Sequence, residues 1–197
     1  MTGVEVTEAI IRRRDLRQPP GRALSPAPHH HPIGAGLLQG RPRLIGPVYS
    51  VVGKADAVEP AQQKIEWALV VKNLKVLAKH AEAKGVTICI EPLNRFETYV
   101  INTTGQGSAF RSRVGHPGVQ YMYDTFHANI EELDPVAIFE AAVGELAHIH
   151  ISENDRGIPG RGHGALAPII AAARRSGYDR WLTVEAFGRA VPELAAA

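Results

Sequence analysis

Short apolar runs alternate with longer stretches of helical periodicity along most of this chain. The runs VTICIE, VQYMYD, LAHIHIS and WLTVE are separated by segments in which apolar residues recur at helical spacing. Runs that are apolar on both faces, such as VTICIE and VQYMYD, are typical of parallel strands covered by helices. The alternation therefore predicts an α/β fold built on a parallel sheet.

The regular pattern begins at Arg43. We expect strands at the start of 43–53 and over 86–91, 118–124, 146–152 and 181–185. We expect helices over 60–84, 103–114, 135–143 and 165–176, and a short helix near the C-terminus. Two glycines, Gly105 and Gly107, weaken the second of these helices. In the first helix, six apolar residues are expected to face the core: Ile65, Leu69, Leu74, Leu77, Ala78 and Ala81.

The segment 1–42 differs from the rest of the chain. It is rich in proline, arginine and glycine and has no clear period, so we interpret it as mostly irregular. The N-terminus also lacks an apolar core, so we expect no signal peptide. The chain then divides into an irregular segment, 1–42, and a folded domain, 43–197.

The composition argues against several classes of function. The chain has 197 residues, enough for one domain or one domain with a tail. A formal net charge of +2 is too small to indicate binding to nucleic acid or to an anionic membrane. The one cysteine, Cys89, lies within an apolar run and permits no internal disulfide, so we expect a buried thiol and a cytoplasmic protein. No apolar run approaches the roughly 18 residues that a membrane span needs.

Four successive predicted strands end on, or close to, a residue type that binds metals. Glu91, Asp124 and Glu185 are the last residues of their runs, and His150 lies near the end of LAHIHIS. The intervals between these positions are 33, 26 and 35 residues, each about the length of one βα unit. Because the carboxyl ends of parallel strands lie on one face of a sheet or barrel, where active sites occur, we expect these side chains to converge.

Each of the four residues also has a purely structural explanation. Glu91 and Glu185 can cap a following helix or pair with an arginine, and Asp124 can also be a helix cap. His148 and His150 share one strand face, and we expect His148, which lies deeper, to be a hydrogen-bonded core histidine. The coincidence of four such strand ends favours a metal site. Three carboxylates and one imidazole favour Mn²⁺, Mg²⁺ or Co²⁺, whereas structural zinc prefers thiolates.

Four motifs carry a family resemblance: EPLNRFET, DTFHANIEE, HIHISENDRGIPGRGH and VEAF. The chain from about Leu44 to Phe187 resembles the sugar isomerase/epimerase family with a xylose isomerase-like TIM barrel, above all the D-tagatose and D-psicose (allulose) 3-epimerases. A complete barrel of this type has eight βα units and typically about 250 residues. The resemblance therefore implies an incomplete barrel of five units, corresponding to the fourth to eighth strands of the family.

The resemblance also implies roles for individual residues. It implies one divalent ion, with Mn²⁺ as the first expectation, bound by four residues: Glu91, Asp124, His150 and Glu185. It implies that three further residues contact the sugar: Glu97, His127 and Arg156. For Arg156 the structural alternative is a surface ion pair with Asp155. For His127 it is a histidine at the start of a helix with no functional role. His163 is expected only to order its loop.

The activity implied by the resemblance is epimerisation of a ketose at C3 through an enediolate intermediate. Glu91 and Glu185 are the expected catalytic residues, one removing the C3 proton and the other returning it on the opposite face. The alternatives are an inactive, truncated metal-binding remnant, or a related enzyme of the hydroxypyruvate isomerase or inosose dehydratase type. An apurinic endonuclease is disfavoured, because neither a basic groove nor additional clustered histidines are visible.

The expected partners follow from the same pattern. A small sugar is the expected ligand, and no nucleic acid or membrane is expected. Five strands leave open sheet edges, which favour pairing with another chain. We therefore expect a homo-oligomer, a dimer or tetramer.

Overall fold

The computed structural model describes residues 6–11 and 42–187, which form one sheet flanked by helices. The strands are β1 (Val6–Ile11), β2 (Arg43–Gly46), β3 (Thr87–Ile90), β4 (Val119–Asp124), β5 (His148–Ile151) and β6 (Leu182–Phe187). The helices are α1 (Pro60–Ala83), α2 (Thr104–Val114), α3 (Thr125–Glu131), α4 (Pro135–Ala142) and α5 (Leu166–Arg175).

The sheet has the strand order β1-β6-β5-β4-β3-β2. Strands β2 to β6 pair in parallel, and β1 pairs antiparallel with β6. A helix follows each of the strands β2 to β5 before the chain returns to the next strand, which is the connection of a βα barrel. The five parallel strands form a curled half-barrel, so the predicted incomplete TIM barrel is confirmed.

The helix ends follow from their sequences. Pro60 stands in the first turn of α1, where its missing N–H costs nothing. Helix α2 begins with a capping box, in which the Thr103 hydroxyl accepts from the Gln106 N–H and the Gln106 side chain accepts from the Thr103 N–H. It ends at Gly115, whose φ of 62° is the left-handed conformation of a helix stop.

Gly107 in α2 does more than weaken the helix. A Cβ at this position would lie 3.1 Å from the Pro92 side chain and 3.3 Å from the Tyr121 ring. The glycine therefore allows α2 to approach β4 and the loop that follows β3.

The core divides into two clusters on the two faces of the sheet. The larger cluster lies between the sheet and the helices, and its fully buried side chains include Ile88, Ile90, Phe110, Tyr121, Tyr123, Phe139, Ile149 and Ile151. The smaller cluster consists of Cys89, Met122 and Ala147. Cys89 and Met122 each stand two residues before a candidate ligand, so they share its face of the sheet. The predicted burial of the Cys89 thiol is confirmed.

The predicted apolar stripe of α1 is wrong in part. Leu74 and Ala78 are buried as expected, but Ile65, Leu69 and Leu77 are exposed by 63%, 54% and 42%. Among the described elements α1 packs mainly on β3 and α2, and the Trp67 side chain donates to the Val100 carbonyl in the loop after β3. Strand β2 is the edge strand on that side of the sheet, and the described residues leave these three side chains of α1 exposed.

Two elements were not predicted. Strand β1 lies within the segment 1–42, which we expected to be irregular; its β-branched sequence pairs with the open edge of β6. Helix α3 follows β4 directly and has only seven residues, too few to show a period. The rest of 1–42 and the C-terminal helix expected after 187 lie outside the described residues.

Within the part of the chain that the structure describes, no helix combines the length and apolar character needed to cross a membrane.

Candidate metal and sugar site

The four candidate ligands converge at the carboxyl ends of the strands. One ligand atom from each lies within 4.8 Å of the others: Glu91, Asp124, His150 and Glu185. The Nδ1 atom of His150 lies 3.3 Å from Glu91 Oε1, 3.5 Å from Asp124 Oδ2 and 3.6 Å from Glu185 Oε2. The first three residues are buried, whereas Glu185 is partly exposed.

The sheet register explains this convergence. Asp124 ends β4 opposite His150 on β5, and His150 lies opposite Thr183 on β6, two residues before Glu185 on the same face. Glu91 directly follows β3, and its carbonyl oxygen accepts a hydrogen bond of 2.7 Å from the Tyr49 hydroxyl. Tyr49, which the sequence analysis did not identify, thereby fixes the backbone that carries Glu91.

The group contains three carboxylates and one imidazole, so it carries an excess of negative charge. Burial raises the pKa of Glu91 to about 7, against the opposing effect of His150. Burial also opposes ionisation of Asp124, but the nearby His150 imidazole and the positive guanidinium of Arg156 hold its pKa below the usual range. Burial opposes charging of His150, yet the three carboxylates within 3.6 Å of its Nδ1 atom raise its pKa to about 12. The carboxylates thus strongly attract a positive charge.

Two buried atoms of the group lack a hydrogen-bond partner among the described residues. These are Glu91 Oε1 and His150 Nδ1, which face each other. An unsatisfied buried polar atom costs about 1–3 kcal/mol, so such atoms indicate a missing partner. A divalent cation between these side chains would satisfy both, and three oxygens with one nitrogen suit Mn²⁺ or Mg²⁺. The residues present therefore fit the expected metal.

Arg156 lies beside the carboxylates rather than on the surface. Its guanidinium contacts Asp124 Oδ2 at 3.2 Å, pairs with Glu185 and approaches His127 Nε2 at 2.9 Å. It also stacks on the Phe126 ring, 3.9 Å from the centroid. The structural alternative of a surface pair with Asp155 is not adopted, because the guanidinium lies against Asp124 and Glu185 instead.

The loop that carries Arg156 is built around Glu153. This buried carboxylate accepts hydrogen bonds from the N–H groups of Gly160, at 2.7 Å, and Gly164, at 3.1 Å. A Cβ at Gly162 would collide with Glu153, so the loop needs glycine there. Arg156 itself has a φ of 59°, which is rare for a residue with a side chain. Glu153 is not among the residues predicted from the sequence.

The other sequence candidates lie at different depths. His127 is buried, and Glu97 is partly buried; both contact Asn94, which the sequence analysis also missed. His148 is buried as expected, but neither of its ring nitrogens has a hydrogen-bond partner among the described residues, so the hydrogen-bonded core histidine we expected is not found there. His163 is exposed, and its N–H donates to the Asn154 side chain within the same loop.

Comparison with known proteins places this chain in a family. The xylose isomerase-like TIM barrel family matches residues 34–197. The chain belongs to this family. The predicted resemblance is thereby confirmed.

Several characterised relatives are ketose 3-epimerases. The chain is 38% identical over 146 residues to the D-psicose 3-epimerase of Ruminiclostridium cellulolyticum, covering 74% of this chain and 50% of that protein. It is 37% identical over 127 residues to the L-ribulose 3-epimerase of Mesorhizobium japonicum, covering 64% and 43%. A D-allulose 3-epimerase from Methylomonas sp., solved in complex with D-allulose, superposes with a TM-score of 0.68 at 35% identity, covering 75% and 50%. The chain thus spans about half the length of the relatives it matches.

Proposed function

We propose that this chain is a metal-dependent isomerase of the ketose 3-epimerase type. The observation that carries the proposal is the buried group of three carboxylates and one imidazole at the ends of four successive parallel strands. This group lies in a chain that is similar to 3-epimerases over most of its length. We propose that Glu91, Asp124, His150 and Glu185 hold one divalent ion, Mn²⁺ in the first instance.

The expected reaction is inversion at C3 of a ketose. The C3 proton is acidic because it lies next to the C2 carbonyl, and a divalent ion at the site would polarise that carbonyl. The buried Glu91 carboxylate lies at the end of β3, where it would be close to the sugar and able to take a proton from C3. Glu185 approaches the same His150 nitrogen from another strand. We assign these two carboxylates to proton transfer on opposite faces of C3.

The sugar is proposed to bind between the ligands and three neighbouring side chains, Glu97, His127 and Arg156. The buried His127 and the guanidinium of Arg156 meet next to Asp124 and Glu185, so their polar atoms are close to where the reacting carbon must lie. Named relatives act on both D-psicose and L-ribulose. The proposal therefore extends to ketoses as a class and leaves the chain length of the sugar open.

An epimerisation assay tests this function. The purified chain, loaded with Mn²⁺, is incubated separately with D-psicose, D-tagatose, D-fructose and L-ribulose, and C3 epimers are identified by NMR. We expect one or more epimers to form, EDTA to stop their formation, and Mn²⁺ to restore it. Bound metal without turnover of any ketose would favour the inactive remnant. Turnover of hydroxypyruvate alone would favour the related isomerase.

We also propose that the chain associates with copies of itself. The supporting observation is the apolar surface that the described residues leave exposed on α1 and on the loop after β2, where Leu69, Val76 and Val51 are each more than half exposed. Size-exclusion chromatography with light scattering is expected to show a dimer or tetramer. A monodisperse monomer at micromolar concentration would contradict this proposal.

A further inference from the structure

Asn94 lies at the centre of the loop that joins the metal group to the sugar-facing residues. It is buried, with 2% of its surface exposed. Its Oδ1 atom accepts from the Phe96 N–H at 3.0 Å. Its Nδ2 atom lies 2.8 Å from Glu97 Oε1 and 3.0 Å from His127 Nδ1. One amide therefore contacts two of the three residues proposed to bind the sugar.

The partners of Asn94 determine which way its amide points. The Phe96 N–H can only donate, so the amide atom that faces it is the oxygen. The Glu97 carboxylate accepts, so the atom that faces it is the nitrogen. That nitrogen carries two hydrogens, one for Glu97 and one for His127. The reversed amide would place donors against donors and acceptors against acceptors.

This orientation dictates where the proton of His127 resides. The Asn94 backbone N–H also donates to His127 Nδ1, at 3.0 Å, so two donors meet this nitrogen. Burial lowers the pKa of His127, which keeps the ring neutral with a single N–H. Because Nδ1 must accept, that N–H is on Nε2.

The Nε2–H group of His127 then faces a second donor. The nearest atom is an Arg156 guanidinium nitrogen, 2.9 Å away, which has hydrogens only to give. Two donors side by side cannot satisfy each other, but both can donate to one acceptor oxygen atom that lies within reach of the two nitrogens. Carbonyl and hydroxyl oxygens of a sugar are acceptors of this kind.

We propose that Asn94 is a positioning residue that fixes His127 as the Nε2–H tautomer and holds Glu97 in place. Through these contacts it sets the donor and acceptor pattern presented to the sugar. The identity of the ligand rests on the proposed function, whereas the tautomer does not. The two parts of the proposal therefore have separate tests.

The tautomer is tested by NMR of the ¹⁵N-labelled full chain, with the His127 ring assigned by a His127→Gln variant. We expect an unprotonated Nδ1 and a protonated Nε2. In Asn94→Asp, a carboxylate oxygen replaces the donor at Nδ1, so we expect that nitrogen to take up a proton. Asn94→Ala keeps the backbone donor. We expect the Nε2–H tautomer to remain the major form in this variant, with a minor population of the Nδ1–H tautomer.

The matched control is Asn129→Asp. Asn129 is exposed on α3, two residues from His127, so this variant adds the same charge nearby without touching the loop. Its His127 signals should match those of the parent. A protonated Nδ1 in the parent would overturn the proposal, even if the Asn94 variants failed to fold. An unchanged tautomer in a folded Asn94→Asp would overturn it equally.

The sugar-binding part is tested by kinetics once a ketose substrate is found. We expect Asn94→Asp to lower kcat/KM by about ten- to hundredfold, the usual cost of removing a partner that orients a site residue. Asn129→Asp should retain the parent value. Full activity in Asn94→Asp would overturn this part. If the parent turns over no ketose, the proposed function fails while the tautomer result still decides the structural part.

Discussion

Replacement of Asp124 by asparagine is expected to weaken Mn²⁺ binding by more than about 100-fold. Removing a partner that only orients a metal ligand already costs about 10–100-fold in affinity, and Asp124 is proposed as a ligand itself. Asparagine keeps the second duty of this side chain, because the Asp124 carboxylate also accepts from the Phe126 N–H at the start of α3. The loss should therefore appear in metal titration by calorimetry, without loss of the fold.

A second aspartate provides the matched control. Asp134 caps α4 by accepting from the Ala137 N–H, as Asp124 caps α3, but it is exposed and is not a member of the carboxylate group. Asp134→Asn should bind one Mn²⁺ per chain with the parent affinity. Addition of Mn²⁺ should raise its melting temperature as much as it raises that of the parent. Equal Mn²⁺ affinity in Asp124→Asn and the parent would refute the ligand assignment.

The same titration should show binding that tightens as pH rises. Glu91, with its pKa raised to about 7, is protonated in part near neutral pH, and His150, with its pKa raised to about 12, is charged. A metal must displace these protons, and each displaced proton makes the binding constant change by about tenfold per pH unit while its group is protonated. A binding constant that is flat between about pH 6 and 8 would contradict this expectation.

Glu185→Gln is expected to slow epimerisation by about 10²–10⁴-fold, the usual contribution of one acid–base group. Exchange of the C3 proton with solvent should survive for only one of the two epimers. The epimer whose C3 proton faces Glu91 can lose this proton and regain it on the same face. In the other epimer the C3 proton faces residue 185, where glutamine cannot remove it. Incubation of each epimer in D₂O, followed by NMR of C3 deuteration, measures the difference.

Metal content must be equal before this comparison, since the substitution also removes a proposed ligand charge. Glu140→Gln is the control, because Glu140 is exposed on α4 and pairs with Arg175. Its rates should match those of the parent. Equal deuteration of both epimers by metal-loaded Glu185→Gln would show that Glu185 moves no proton.

The residues at the strand ends can be predicted from the sequence, whereas the contacts between loops cannot. Glu91, Asp124, His150 and Glu185 were recognisable because parallel strands deliver their last residues to a shared face, so local periodicity was enough. Asn94 has no such local pattern. Its role depends on a contact between its amide and His127, which belongs to a different βα unit. Glu153 was likewise hidden, because its partners are backbone N–H groups of glycines seven and eleven residues later.

The errors in helix α1 and strand β1 have a common physical source. Periodicity marks which face of a helix is apolar, but whether Ile65 is covered depends on what lies beyond β2. The pairing of Val6–Ile11 likewise depends on β6, an edge strand of the parallel sheet that lies far away in the sequence. Both outcomes are set by long-range packing, which a single sequence does not encode locally.

All four members of the carboxylate–imidazole group come from one continuous stretch, 91–185, and each arrives with its own βα unit. We propose all four residues as ligands of one ion, so a recombination point placed before residue 91 would keep every proposed ligand on the same fragment. In a chimaeric barrel the other half could then be exchanged without changing these four residues.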